Sequence, residues 1–317
     1  MNSAKYINYD LRPAKFVERK MFVDVLNNII GVNSYEYQYI GLGGLFFTDF
    51  KLFHKELSIS KMISVEGGSK IDFKRIEFNN PFNFIDVIEG HTTDLLDDDE
   101  KINLEEKSIV WMDYDNYLQE FMFEDITHIF KKINCGSVYI FTCNSILKNS
   151  DGKTYSLDEL KEEYGGYVPY ELTQKDLTDN NIHNVIVEMI QRHVVETLTD
   201  RKSIAGDNLK AYPLFKIKYA ERGGAPMLTY ALVLEEEGID IVDKYSLSNF
   251  DFVIQRGKTD FFEIELPNVS YIERKLIDKT NKNKTRPITK KSAVDPSEIE
   301  RYRKLYKYLP SYFDVRH

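Results

Sequence analysis

The stretch that decides the fold reads YQYIGLGGLFFTDFKLFHKELSISKMISVE and covers residues 37–66. Its apolar run over 37–44 ends in the glycine-rich turn GLGG, and the apolar residues that follow recur with helical spacing. A second apolar run ends at Glu66. The order strand, tight turn, helix, strand predicts two parallel strands, because a parallel pair needs a crossover connection that an α-helix usually supplies.

Three further runs rich in β-branched and aromatic residues follow, over 82–90, 108–115 and 136–144. Segments with helical spacing lie between them, and another precedes the first strand over 13–30. Strands that alternate with helices at this interval predict an α/β fold, in which helices cover both faces of a mostly parallel sheet.

The pattern changes after the fifth strand. The amphipathic range 182–198 predicts a long helix, and the apolar runs 212–220 and 226–236 flank the glycine-containing turn ERGGA. Two strands joined so closely predict an antiparallel hairpin. We therefore expect 1–236 to form one domain that begins with a helical segment and closes with this hairpin.

The remaining residues, 237–317, predict a small α+β extension. A short hairpin is expected over 250–266, around a glycine turn, and a final helix over 296–308. The range 279–292 is rich in Lys and Asn and lacks apolar periodicity, so we expect an exposed, mobile loop there.

Composition excludes several classes of protein. With 42% hydrophobic residues in 317, the chain can bury a core large enough to offset the entropy cost of folding. No apolar run approaches the roughly 18 residues of a membrane span. The first residues, MNSAKYINYDLRPAKF, lack the apolar core of a signal peptide. We expect a cytoplasmic protein that makes no membrane contact.

Charge is unevenly distributed along the chain. Residues 271–317 hold 13 Lys and Arg against 6 Asp and Glu, a net charge of +7, whereas the first 270 residues have a net charge of −16. A basic segment on an acidic body either docks on that body or contacts a partner that carries phosphate or other acidic groups. Docking and a nucleic-acid or protein contact are the two alternatives.

Polar residues stand where the strands end. Because the carboxyl ends of parallel strands meet at one edge, these residues should line a common crevice. The glycines of the first turn allow a ligand to approach the backbone, and a helix that starts directly after them would offer free amides. Glu66, at the end of the second strand, can accept both hydroxyl protons of a ribose, or it can interact with the dipole of the next helix.

The third and fourth strands end in equally polar residues. The sequence EGHTTD at 89–94 could hydrogen-bond the edge of an adenine. Asp113 and Asp115 lie at the end of the fourth strand, where an acid or base could act, and Asp115 could equally cap the next helix.

These features together resemble the class I, Rossmann-like S-adenosylmethionine-dependent methyltransferases. The resemblance covers about residues 12–236 and rests on the glycine turn, the acidic end of the second strand and above all the closing hairpin. It implies a seven-stranded, mostly parallel sheet of order 3-2-1-4-5-7-6 with an antiparallel seventh strand. It also implies S-adenosylmethionine as the cofactor.

The resemblance assigns roles to individual residues. It implies the following cofactor-binding residues: Gly41, Gly43 and Gly44 beside the methionine part, Glu66 at the ribose, Thr92 near the adenine, and Asp113 with Arg12 at the amino-acid end. The chain departs from the family motif at two positions. Tyr39 stands where the family has an acidic residue, and Phe46 where a dinucleotide fingerprint has its third glycine.

For catalysis the resemblance implies that Asp113 or Asp115 orients or deprotonates an oxygen or nitrogen nucleophile, with Tyr114 lining the acceptor pocket. The Pro-Pro-aromatic signature of base-modifying amino-methyltransferases is absent. Some oxygen methyltransferases bind magnesium through an Asp after the fourth strand and an Asp-Asn pair after the fifth, where this chain has Cys143-Asn144. We expect no metal.

Other reactive residues give weaker signals. Lys15 and Arg19, four residues apart on one helical face, suggest a shared anionic partner, or else a surface ion pair with Glu18. His183 and His193 are expected at the surface. The two cysteines are too few for a disulfide framework or a zinc site.

The leading hypothesis is therefore a methyltransferase with an unidentified acceptor, either a small molecule or a macromolecule. The first alternative is a non-catalytic binding or sensor module of the same fold, working with a protein or nucleic acid. The second is a nicotinamide oxidoreductase, which would share the sheet and Glu66 but not the closing hairpin.

Overall fold

A computed structural model describes residues 12–67, 70–149, 152–221, 223–258, 260–280 and 284–310. The described strands are β1 (Tyr37–Gly41), β2 (Met62–Glu66), β3 (Ile85–Glu89), β4 (Lys107–Tyr117), β5 (Val138–Asn144), β6 (Leu209–Ala220), β7 (Pro226–Glu236) and β8 (Phe262–Ile264).

The described α-helices are α1 (Pro13–Ile30), α2 (Thr48–Leu57), α3 (Lys70–Phe78), α4 (Thr92–Asp97), α5 (Glu120–Lys132), α6 (Leu157–Tyr164), α7 (Ile182–Ala205), α8 (Ile241–Lys244), α9 (Tyr271–Asp278), α10 (Arg286–Ser292) and α11 (Pro296–Leu305). Within these ranges, no helix is both long and apolar enough to cross a membrane.

All eight strands join one sheet of order β3-β2-β1-β4-β5-β7-β6-β8. Strands β1 to β5 pair in parallel, and β7 runs antiparallel to both β5 and β6. The predicted order and closing hairpin are confirmed. An eighth strand, β8, pairs in parallel with β6. A strand was predicted in this range, but as one half of a separate hairpin and not as part of this sheet.

The register places the polar strand ends at one edge of the sheet. Glu66, the last residue of β2, lies opposite Glu89 of β3, and Asp113 of β4 lies opposite Thr142 of β5. Strand β1 ends between β2 and β4, at Gly41. The polar residues that the sequence predicted at a common edge of the sheet therefore share that edge.

Helices cover both faces of the sheet. One face packs against α4, α5 and α7 through side chains such as Val110 and Phe123. The other packs against α1 and α2, where the ring of Phe22 lies 4.9 Å from the rings of both Trp111 and Phe215. This aromatic cluster fixes α1 against the middle of the sheet.

The C-terminal extension differs from the prediction in two places. The range 250–266 is not a hairpin of two strands, because one isolated bridge joins Gln255 to Lys258 and the later residues form β8. The range 279–292, predicted as a loop, contains α10, and three of its residues lie outside the described part. Ile288 is the buried residue of α10, so the sequence shows no periodicity there.

Helix α11 attaches the extension to the sheet and ends three residues before the predicted helix does. Its Leu305 is fully buried in the core that also contains α1 and β6. Arg301 donates to a carboxylate oxygen of Glu265 at 2.9 Å, and Lys304 donates to the carbonyl oxygen of Glu263 at 2.7 Å. The contacts of Arg301 and Lys304 support the alternative in which the basic segment docks on the acidic body of the protein.

We expect Ile264→Ala in β8 to lower the free energy of unfolding by about 2–5 kcal/mol, because the side chain is buried in the core shared with α1. Chemical denaturation measures this loss. The control Ile272→Ala removes an exposed side chain and should change stability by less than about 0.5 kcal/mol. Two separate transitions, with only the minor one shifted by Ile264→Ala, would contradict a shared core.

Candidate active site at the carboxyl ends of the strands

The turn after β1 is closed by side chains of β2. The amide of Gly43 donates to Ser64 Oγ at 3.0 Å, and the amide of Gly44 donates to Glu66 Oε1 at 2.9 Å. Gly44 has a φ of +56°, in the left-handed region that favours glycine. Helix α2 begins at Thr48, not directly after the glycines as predicted, because the buried ring of Phe47 occupies the intervening turn.

Two of the glycines are required by the packing of the chain itself. A Cβ at position 41 would lie 2.5 Å from the hydroxyl of Tyr39, and a Cβ at position 43 would lie 2.6 Å from Ser64 Oγ. Both distances are far below a van der Waals contact. The expected reason, close approach of a ligand to Gly41 and Gly43, is thus not needed to explain them.

Glu66 is anchored through one carboxylate oxygen. Its Oε1 accepts hydrogen bonds from Ser64 Oγ at 2.6 Å and from the amide of Gly44. Its Oε2 makes no hydrogen bond within the described part of the chain. Only 5% of the residue is exposed, and burial raises the pKa of the carboxyl to about 7.

Lys15 is fully buried between two carboxylates. Its Nζ lies 2.8 Å from Asp113 Oδ1 and 2.9 Å from Glu18 Oε2, and 4.5 Å above the centroid of the Trp111 ring. The predicted ion pair with Glu18 is present, but it lies in the core and not at the surface, and the second partner of Lys15 is Asp113 of the chain itself. The sequence could not indicate this, because Asp113 is 98 residues away along the chain.

Glu18 belongs to the same buried network. Thr229 of β7 donates to its Oε1, and the hydroxyl of Thr229 also lies 2.9 Å from that of Thr142 in β5. Burial raises the pKa of Glu18, although the charge of Lys15 opposes this shift. Its position on the apolar face of α1, between Val17 and Met21, is a signal that could have identified it.

Asp49 of α2 supplies a carboxylate beside β1. The phenol of Tyr39 donates a hydrogen bond to Asp49 Oδ2. Burial raises the pKa of Asp49, although the charge of the buried Arg19 opposes this shift. Tyr39 stands where the resemblance implies an acidic residue. A carboxylate is therefore present near this position after all, but it comes from α2.

Asp125 gathers three residues that face away from Glu66. This fully buried carboxylate of α5 accepts hydrogen bonds from the hydroxyls of Thr92, Thr93 and Tyr114 at 2.6 to 2.7 Å. The side chains of Thr92 and Tyr114 are thus occupied in holding α4, β4 and α5 together. Sequence reasoning missed Asp125, although an acidic residue on the apolar face of an amphipathic helix is an unusual feature that could have marked it.

The other predicted residues are more dispersed. Asp115 is exposed, two residues beyond Asp113 in a part of β4 where the register shifts. Arg12 lies beside the β6–β7 turn, with its Nε 4.0 Å from Glu221 Oε1. The structure brings Gly44, Glu66 and Asp113 to one edge of the sheet, and it places Arg12 next to the closing hairpin.

The end of β5 does not offer an obvious pair of metal ligands. Asn144 is buried and its Oδ1 accepts the amide of Ile146 at 3.0 Å, while burial raises the pKa of the Cys143 thiol. In the ranges that the structure describes, no group of three or more His, Cys, Asp or Glu could hold a metal ion.

The two histidines of α7 are half-buried, so their predicted surface position is wrong. His193 Nε2 lies 2.7 Å from Thr127 Oγ1, and its ring packs edge-on against Phe123. The ring of His183 packs edge-on against Phe261 at 4.6 Å. Both residues lie on the face of α7 that meets the protein.

Comparison with known proteins identifies one matching family and several similar structures. Residues 7–317 match the model of the family described as "Putative O-methyltransferase". An O-methyltransferase from Bacillus cereus in complex with S-adenosylhomocysteine is 15% identical, with 73% of this chain and 86% of that chain covered and a TM-score of 0.40. The N-methyltransferase NodS from Bradyrhizobium japonicum is 8% identical, with 69% of this chain and 97% of that chain covered and a TM-score of 0.37. No curated protein matches the sequence.

The strand order and its closing hairpin define a Rossmann-like methyltransferase fold. The chain belongs to the O-methyltransferase family whose model it matches almost throughout. The prediction of a methyltransferase is confirmed at the level of this family, and S-adenosylmethionine as its methyl donor stays a prediction. The inserted β7 argues against the nicotinamide oxidoreductase alternative.

We expect Lys15→Met to lower the free energy of unfolding by about 3–5 kcal/mol, because Glu18 and Asp113 would lose the cation that compensates them. Chemical denaturation at pH 7 measures the loss. Lys20→Met is the control: its pair with Glu56, at 3.4 Å, is partly exposed, and the change should be below about 1 kcal/mol. Equal effects of the two substitutions would refute the buried network.

The raised pKa of Glu66 predicts a pH dependence of stability. Its folded pKa of about 7 lies above the ordinary 4.5, so the folded state holds the proton more tightly. The protonated carboxyl therefore stabilises the folded state. This stabilisation is fully present below pH 4.5 and is lost as the pH rises through 7. Relative to Glu66→Gln, the wild-type protein should lose about 2–3 kcal/mol of unfolding free energy between pH 5 and pH 8. A difference that does not vary with pH would contradict the assignment.

Proposed function

We propose that this protein transfers the methyl group of S-adenosylmethionine to an oxygen of its acceptor, at the carboxyl edge of the sheet. The observation that carries the proposal is a pair of carboxylates that are each held by the protein through only one oxygen. Glu66 and Asp113 each use one oxygen to bind the protein, and their second oxygens, Oε2 and Oδ2, make no hydrogen bond in the described part of the chain.

These residues fit the cofactor. Glu66 Oε2 would accept hydrogen bonds from the ribose hydroxyls, and Asp113 Oδ2 would accept a hydrogen bond from the cofactor's ammonium group. The amides of Gly43 and Gly44 already donate to side chains of β2, so they would not bind the cofactor. The glycine turn, which includes Gly41, would contribute to cofactor binding only through the shape of its backbone. Thr92 near the adenine and Arg12 at the amino-acid end stay predictions.

When bound, S-adenosylmethionine supplies a methyl group already activated on a sulfonium, so the protein's task is mainly positioning. Lys15 holds Asp113 in place by their buried ion pair. Asp113 or Asp115 would take the proton that the acceptor oxygen loses as its bond to the methyl carbon forms. Tyr114 acts through Asp125 and holds β4 against α5, so we assign it a positioning role.

A macromolecular contact through residues 271–317 remains a second proposal. It is supported by the exposed side chains of Tyr271 and Ile272 on α9 and by the ammonium of Lys275, which lies 4.4 Å from the Tyr271 ring. Cation and aromatic groups side by side are typical of surfaces that bind single-stranded nucleic acid. Loss of RNA binding in Tyr271→Ala would support this role, and unchanged binding would exclude it.

The cytoplasm is our proposed location for the enzyme. Cys135 and Cys143 are free thiols in the structure, which suits a reducing compartment. Cell fractionation followed by immunodetection tests this proposal, and recovery of the protein outside the cytosolic fraction would contradict it.

Calorimetry tests the role of Glu66 in cofactor binding. Glu66→Gln keeps an oxygen for Ser64 and Gly44 but replaces the outer acceptor with an amide, so we expect S-adenosylmethionine and S-adenosylhomocysteine to bind about 10–100-fold more weakly. Glu237→Gln, an exposed position that follows β7 at the opposite edge of the sheet, should bind both almost as wild type does.

Two controls distinguish a loss of cofactor binding from a loss of folding or of cofactor specificity. Thermal melting should show that Glu66→Gln is folded, and NAD should not bind to the wild-type protein. Wild-type affinity in Glu66→Gln would remove the ribose assignment. Absence of any binding of S-adenosylmethionine to the wild-type protein would remove the proposed function itself.

A further inference from the structure

A cavity of about 1040 Å3 opens at the carboxyl edge of the sheet beyond β5. Five chain segments build its walls together with Pro13: the residues after β5 (145–148), the start of α7 with the loop before it (179–183), the end of β6 (218–220), the start of β7 (226–227), and β8 with the residues after it (263–268). The C-terminal extension therefore supplies one wall of a cavity in the methyltransferase body.

This cavity adjoins the candidate active site. Tyr219 lines it, and the ring of Tyr219 lies 5.5 Å from the ammonium of Lys15, which binds Asp113. The hydroxyl of Tyr219 is buried and has no hydrogen-bond partner among the described residues. A molecule held in the cavity would thus lie next to the charge network that positions Asp113.

One wall of the cavity carries a cation that is not neutralised. Lys218 is half-buried, its ammonium lies 5.6 Å from the centroid of the Phe261 ring, and it forms no ion pair with a described carboxylate. Lys216 lies over the same ring at 5.7 Å, and burial lowers its pKa. His183 completes this wall, and because burial and the two lysines lower its pKa to about 4, it adds no charge at pH 7.

The acidic residues of the cavity do not cancel this charge. Glu265 is bonded to Arg301 at 2.9 Å. Glu263 lies opposite Lys218 in the register of β8 and β6, but it is exposed and the two form no ion pair. Asp179 is exposed as well. Apolar side chains, among them Ile146, Leu147, Met227, Ile264 and Leu266, provide much of the remaining surface.

We propose that this cavity holds the methyl acceptor, and that the acceptor is a small amphipathic molecule with an anionic group that binds Lys218. The proposal rests on the proposed function and names its substrate class. The cavity has the size of a site for a small organic molecule, and its apolar surface with a few polar groups is typical of such sites. A half-buried cation without a partner gains most from an anionic ligand.

Two fluorescent probes of one skeleton test this proposal without turnover. 8-Anilinonaphthalene-1-sulfonate carries an anionic group, and N-phenyl-1-naphthylamine lacks it. We expect the sulfonate to bind the wild-type protein and Lys218→Met to weaken that binding about tenfold or more, with little change for the neutral probe. Lys210→Met is the matched control, because Lys210 lies on the same strand above the ring of Tyr212 and outside the cavity.

A second variant shows where the probes bind. Ala220→Trp places a large side chain in the cavity and should weaken both probes, while thermal melting verifies that the variant is folded. Sulfonate affinity unchanged in Lys218→Met, or unchanged binding of both probes in Ala220→Trp, would overturn the proposal. So would displacement of S-adenosylmethionine by the sulfonate, because acceptor and cofactor must bind together.

The same variants separate this proposal from the proposed function. Calorimetry with S-adenosylmethionine should give wild-type affinity for Lys218→Met. If the wild-type protein binds the sulfonate probe through Lys218 but does not bind S-adenosylmethionine, the methyltransferase assignment fails and the anion-binding cavity stands. If the wild-type protein binds S-adenosylmethionine but Lys218→Met binds the sulfonate probe as tightly as wild type does, the methyltransferase assignment stands and the proposal for the cavity fails.

Discussion

One buried lysine organises the carboxyl edge of the sheet. Lys15 of α1 has lost contact with water, and Glu18 of the same helix and Asp113 of β4 compensate its charge. Because a buried charge is tolerated only beside an opposite charge with good hydrogen bonds, α1 must lie where Lys15 reaches the end of β4. The network continues through Thr229 of β7 and Thr142 of β5, so one helix and three strands share it.

This constraint also prepares the candidate site. The carboxylates of Glu66 and Asp113 are each fixed through one oxygen, the first by a strand and a turn, the second by Lys15. Groups that are held before a ligand arrives lose little conformational freedom on binding, and rigid strand ends hold them better than loops do. Asp125 has a comparable structural role on the other face, where three hydroxyls bind it.

The C-terminal extension belongs to the same architecture. Its strand β8 continues the sheet beyond the closing hairpin, and Leu305 of α11 is buried in the core that contains α1. The residues after β8 reach the cavity beside Tyr219. Under our proposal for this cavity, acceptor recognition depends on such a peripheral segment and not on the central strands, because one fold can carry many different sites.

The sequence alone determined the helix over 13–30, the parallel sheet with its closing hairpin, and the placement of Glu66 and Asp113 at one edge of that sheet. Periodicity, glycine turns and strand ends are local features, so a single sequence displays them. Only the tertiary structure decided that Lys15 binds Asp113, that Tyr114 is turned to Asp125, and that α10 replaces a predicted loop. Such contacts join segments far apart in the chain, and the charge that a side chain meets depends on which segments pack beside it.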